Sequence, residues 1–170
     1  METRDFIQAG LDRVKQATAR TLDGLSRQEL MWQPGSEANS IGLILFHETR
    51  SEDIFMQRIM EGKPQIWESG KWYQKMNLQP GDTGSGLTAE QCATFPVPEG
   101  KDLLAYADAV RARTLDYLKG MTPDKFDKVI NTPRLGDVSI GAYLALMLVH
   151  LSQHTGEISY VRGLQRGINK

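Results

Sequence analysis

Apolar side chains recur every three or four positions between Thr3 and Leu25, at Ile7, Leu11, Val14, Thr18, Leu22 and Leu25. That period draws one stripe down an α-helix and leaves Arg4, Asp12, Lys15 and Arg20 to water. A polar connection, SRQELMWQPGSEAN, follows with Pro34-Gly35 as its turn signal, and Met31 and Trp32 are expected to tuck against the end of the fold. Ser40 then offers a hydroxyl to cap a second helix. Ile41, Leu43, Ile44, Leu45, Phe46 and Ile54 are its apolar surface, and it is predicted to run to Met60 with Gly62 as its stop.

From Gly62 to Gly100 the period is lost among prolines and glycines, yet Trp67, Trp72, Tyr73 and Phe95 lie there. A disordered linker lacks such residues, so this stretch is read as an ordered crossover with one short helix near Thr88 to Ala93. The third helix spans Lys101 to Lys119, with Leu103, Ala107, Val110, Thr114 and Leu118 as its stripe and Gly120 as its end. Met121 to Val138 is read as a connection with a single helical turn around Asp124 to Lys128, and the fourth helix runs from Ser139 to about Gln165. Short first and third links around one long crossover predict an all-α four-helix bundle, wound up-down-down-up, with residues 1–170 as a single domain.

Composition changes this picture little. A formal net charge of -1 shows no basic patch for nucleic acid. The N-terminus places charges where a signal peptide needs an apolar run, and the longest apolar run, Ala142 to Val149, is far too short to span a membrane. One cysteine, Cys92, excludes an internal disulfide framework and reads as an incidental thiol. The expected compartment is the cytoplasm.

The chain has three histidines. His150 and His154 are four apart on the fourth helix, so their imidazoles stack on one face. His47 lies on the second. Both helices open Ser-Ile-Gly, and the histidines follow the cap serine by 7, 11 and 15 residues. At about 100° per residue those offsets fall near roughly -20°, +20° and +60°, one shared face. His47 lies 13 residues before Met60, and the midpoint of the pair lies 13 residues after Ser139. Antiparallel packing of helices 2 and 4 therefore puts all three at one level, whereas parallel packing parts them by about 9 Å. A histidine pair alone is more often an ordinary hydrogen-bonded pair than a ligand pair. Three imidazoles buried together leave nitrogens unsatisfied, and a metal ion resolves that.

Asn39-Ser40-Ile41-Gly42, then Leu45-Phe46-His47, then Glu52-Asp53, resembles the second-helix motif of the DinB-like (damage-inducible, YfiT-type) metalloenzyme superfamily. The segment from His150 through His154-Thr-Gly-Glu to Gln165 resembles its fourth-helix motif, and the crossover around Gly62 to Trp67 and the Leu103 to Leu118 helix are similar too. The resemblance implies a bundle holding a divalent metal, zinc or nickel, on His47, His150 and His154. It also implies a homodimer and, as in some relatives, S-transfer or isomerisation with a low-molecular-weight thiol such as bacillithiol, mycothiol or glutathione.

Three neutral imidazoles leave a metal its full charge and an open position, the pattern of catalytic sites. Such a site serves thiol addition to a small electrophile or, alternatively, hydrolysis. A non-catalytic, stress-related metal-binding bundle is the reading outside enzymology. Glu157, three past His154, is placed to orient a ligand or act as a base, and Arg162 to meet an anionic group, although surface ion pairs account for both as well. Glu48 and Gln153 adjoin ligands but point elsewhere. Trp67, Trp72 and Tyr73 either wall a substrate pocket or pack the crossover.

Overall fold

The computed structural model describes residues 1–167, most of them helical. The elements run α1 (Thr3–Leu22), α2 (Arg27–Met31), α3 (Ile41–Asp53) with a π-helical continuation over Ile54–Met60, α4 (Ile66–Ser69), α5 (Trp72–Lys75) and α6 (Ala89–Thr94). Then come α7 (Gly100–Lys119), α8 (Pro123–Phe126), β1 (Val129–Thr132), β2 (Gly136–Ser139) and α9 (Ile140–Arg166). No helix among the described residues is long and apolar enough to cross a membrane.

The serines at both helix starts act as caps: Ser40 accepts the Leu43 N–H at 3.3 Å and Ser139 that of Ala142 at 3.2 Å. Each satisfies a backbone donor that the first turn leaves free. The α1 stripe buries Ile7, Leu11, Val14 and Thr18 as its period requires. The helix ends at Leu22 rather than Leu25, because Gly24 turns the chain with a positive φ of 67°. Leu25 still packs on the core from beyond the helix.

The polar connection after α1 contains a helix that periodicity did not reveal. In α2, Ser26 and Glu29 cap each other's backbone reciprocally, a local bond pattern that needs no apolar repeat. Leu30 is the residue it buries, while Met31 and Trp32, expected to tuck in, are 46% and 39% exposed. The crossover is ordered around Trp67, which is fully buried against Phe46 and Tyr106 and donates its indole N–H to Pro80 at 2.9 Å. Trp72 and Tyr73 pack partly buried on the same cluster. Gly42 lets Val97 seat against α3; a Cβ there would lie 2.3 Å from Val97 Cγ1.

Between α7 and α9 the chain forms, beyond the expected helical turn, an antiparallel hairpin pairing Val129 with Ser139 and Thr132 with Gly136. Its four-residue strands are too short and too polar for alternation to mark them.

Contacts fix how the long helices lie. Thr18 meets Thr155, and Thr21 meets Ser159, so partners climb together in α1 and α9. Glu48 meets Thr155 while Phe55 meets Tyr143, so they run in opposite order in α3 and α9. Glu52 of α3 pairs with Arg111, and Glu61, just past the π-helical continuation, pairs with Arg113, both partners being on α7. Lys15 pairs with Asp108 while Leu11 accepts from Arg111 between α1 and α7.

The core is two apolar clusters separated by a polar layer. One holds Phe46, Trp67, Tyr106 and Ile158; the other holds Leu11, Met56, Leu144 and Leu151. Between them α3 buries Glu48, Thr49, Arg50, Glu52 and Asp53. Arg111 grips Glu52 with two 2.8 Å bonds and donates to Leu11 O at 2.6 Å. Arg50 donates to Gln65 Oε1 at 2.7 Å and Asp82 O at 2.9 Å, and Asp53 accepts from the Ile66 and Trp67 amides and from the Tyr106 hydroxyl. Buried charges survive only with such partners.

Candidate metal centre

The three histidines lie at the level of this polar layer, where α3 faces α9. Each offers one ring nitrogen to a group in which the nitrogens lie within 4.8 Å of one another. Their ring centroids are 4.5 Å apart for His150 and His154, 4.9 Å for His47 and His154, and 5.6 Å for His47 and His150. All three are half-buried. Among the described residues no carboxylate or thiol joins the group, and Cys92 lies away from it in α6.

Hydrogen bonding decides which nitrogens are free. His47 Nδ1 lies 3.1 Å from the Thr83 carbonyl, which only accepts, so the proton is on Nδ1 and the Nε2 lone pair is available. His154 Nδ1 lies 2.7 Å from Glu157 Oε2, which imposes the same tautomer as long as that carboxylate is ionised. His150 Nε2 is buried with no hydrogen-bond partner among the described residues. A buried orphan nitrogen is costly, and coordination would satisfy it.

Burial holds the His47 imidazole below its ordinary range, the Thr83 bond opposing in part. Burial first, then the neighbouring His154 and His47, pulls His150 down to about 4. Both rings are therefore neutral at neutral pH, the form that ligates metal. The donor set fits a divalent ion: three imidazoles, two with their outer nitrogens tied and one with a nitrogen to spare.

Glu157 is thus brought to the site as a partner of His154. Arg162 is not; it lines a groove with Thr21, Tyr160 and Leu164, two turns further along α9. Trp67, Trp72 and Tyr73 pack the crossover, and none lines the cavity that adjoins the histidines. Glu48 turns away from the triad into a separate cavity between α1, α3 and α7. Burial, with Glu52 close by, pushes its carboxyl up to about 8, and it accepts from Thr155 at 3.4 Å.

Sequence reasoning missed several neighbours. Ser51 Oγ is 3.5 Å from His47 Nε2, and the Phe55 ring meets the His150 ring edge-on at 5.6 Å. They follow His47 at four and eight residues, so the spacing that found the histidines could have found them. Thr83 and Arg134 lie in aperiodic stretches and left no such signal. Arg134 helps to form a cavity of about 420 Å³ beside His150, with Phe55 and Ile59 of the π-helical segment, the hairpin turn, and Tyr143 and Leu146 of α9. The π turns, which often mark functional positions, put Phe55 and Ile59 on this wall.

The chain belongs to the DinB superfamily, whose sequence model matches residues 10–158. No curated protein matches it. Among solved structures, it is similar to the crystal structure of a conserved protein from Enterococcus faecalis, at 23% identity and a TM-score of 0.84, covering 96% of this chain and 97% of that one. That likeness concerns the fold alone.

Proposed function

We propose that this member of the DinB superfamily is a metal-dependent S-transferase that joins a small thiol to a small electrophile. Its frame is read as one domain, a four-helix bundle wound up-down-down-up. What supports that winding is the contact order: partners climb together in α1 and α9 and run oppositely in α3 and α9.

The observation that carries the functional reading is the histidine triad. Three ring nitrogens converge within 4.8 Å, and the buried Nε2 of His150 has no partner among the described residues. His47, His150 and His154 would hold a divalent ion, with zinc or nickel expected from the family resemblance. The bound ion supplies positive charge that lowers the pKa of a thiol beside it.

The chain's own residues do the rest. Thr83 and Glu157 fix the tautomers of His47 and His154, so that two lone pairs are aimed before any ligand arrives. Phe55 stands edge-to-face against both His150 and Tyr143 and gives that side of the centre an apolar wall. In the reaction, the thiol proton goes to solvent, a carbon–sulfur bond forms, and the leaving group departs with the electron pair of the bond that breaks.

The thiol co-substrate, a cytoplasmic setting and a homodimer rest on the resemblance. Exposed Leu146, Val149, Tyr160 and Leu164, on one face of α9, suit a dimer contact. The test is turnover of monochlorobimane by zinc- or nickel-loaded protein with bacillithiol, mycothiol or glutathione. Metal-dependent conjugation with at least one thiol is expected. No conjugation with any of them would move the assignment to hydrolysis or to metal binding without catalysis.

A further inference from the structure

The cavity beside His150 has a chemical character of its own. Its walls are apolar where Phe55, Ile59, Leu135 and Leu146 line it, and no carboxylate faces it. Its one formal charge is Arg134, at the tip of the hairpin. Arg134 has no hydrogen bond or ion pair among the described residues, in contrast to Arg50 and Arg111, which are consumed by the polar layer.

The hairpin orders the backbone that carries that guanidinium. Thr132 is buried, receives the Leu135 N–H at 3.1 Å and donates to Gly136 O at 3.2 Å. These two bonds close the three-residue turn that carries Arg134, and Gly136 supplies the positive φ of 65° that the turn requires. The second strand passes into α9 without a linker, and the Ile140 N–H bonds Lys128 O at 2.8 Å. Arg134 and His150 therefore belong to one rigid unit. Both line the same cavity.

We propose that this cavity binds a small amphipathic anion, its apolar body against Phe55, Ile59 and Leu146 and its carboxylate or sulfonate on Arg134. A guanidinium forks onto such groups with two parallel bonds, and a volume of about 420 Å³ is the size of a small-molecule site. This names the substrate class for the centre described above. It rests on that reading for the chemistry performed, and on the cavity alone for binding.

The test uses two dyes with the same aromatic body: 8-anilinonaphthalene-1-sulfonate and the uncharged N-phenyl-1-naphthylamine. Fluorescence titration of the full chain is expected to show tighter binding of the sulfonate. Arg134→Ala should weaken the sulfonate by about tenfold and leave the neutral dye within about twofold. Ile59→Trp and, as a second cavity-filling variant, Leu146→Trp should weaken both dyes, which places them in this cavity and not on another apolar surface. An Arg134→Ala protein that binds the sulfonate unchanged, or loses both dyes equally, overturns the proposal. So does unchanged binding of both dyes in the two tryptophan variants. The charge-selective loss should also appear in a metal-free His47→Ala background, because Arg134 needs no metal to act. Failure of metal binding thus counts against the metal-centre reading alone, and failure of charge selection against this one alone.

Discussion

His47 Nδ1 and the Thr83 carbonyl, 36 residues apart in the chain, meet at 3.1 Å. The bond makes the crossover part of the metal centre, because it fixes the tautomer of the α3 ligand. Gly84 makes it possible. Its φ of 70° is one that side chains rarely adopt, and a Cβ there would lie 3.1 Å from His47 Cβ and 3.2 Å from Phe46 Cδ1. Gly84→Ala should therefore push the loop off α3 and weaken divalent-metal affinity by about tenfold or more, the cost of losing a ligand's outer hydrogen bond. Competition against a chromophoric chelator measures this, and unchanged affinity would show that the loop does not support His47.

Glu157 makes the corresponding bond to His154 at 2.7 Å, from a side chain that is half exposed. Glu157→Ala should lower metal affinity by roughly ten- to a hundredfold. The melting temperature of the metal-free protein should change little, since exposed pairs contribute little to stability. A large loss of metal-free stability would mark Glu157 as structural instead.

The sequence carried the helices and the histidine face because both depend on local spacing. Ser40 and Ser139 announce their helices, and offsets of 7, 11 and 15 put His47, His150 and His154 on one side. The polar layer could not be read that way. Arg50, Glu52 and Asp53 look like a solvated stretch, and their burial depends on Gln65, Tyr106 and Arg111, 15 to 59 residues away. The hairpin escaped for a related reason: four-residue strands have no period to detect, and with them went Arg134. Trp67, Trp72 and Tyr73 were legible as ordered aromatics, but only tertiary contacts distinguish a core ring from a pocket wall.

The Glu52–Arg111 pair tests the polar layer. Arg111→Met strands a carboxylate that is 4% exposed between two apolar clusters, and should destabilise the fold by about 3–5 kcal/mol in urea unfolding. Adding Glu52→Leu should recover much of that loss, because no unpaired charge remains. A double variant as unstable as the single one would mean that the pair is needed for more than mutual neutralisation.

Glu29 gives a pH dependence remote from the metal ligands. Arg166 first, then the capping bonds of Ser26, lowers its carboxyl from 4.5 to about 2. A depressed folded-state pKa contributes stability that is fully present above the unfolded value and is lost as pH falls through the folded one. Glu29→Gln keeps a capping side chain but removes the charge facing Arg166. The melting-temperature gap between wild type and Glu29→Gln should be constant above pH 4.5 and close progressively toward pH 2. A gap independent of pH would exclude the ion pair as its source.

The central claim is that His47, His150 and His154 together bind one divalent ion. The most direct measurement is zinc and nickel stoichiometry and affinity by calorimetric titration of tag-free, chelator-stripped protein, wild type beside His47→Ala, His150→Ala and His154→Ala. One equivalent in the wild type, with affinity lost in each of the three variants, is the predicted result. Stoichiometric binding that survives His150→Ala, or no binding by the folded wild type, would contradict it.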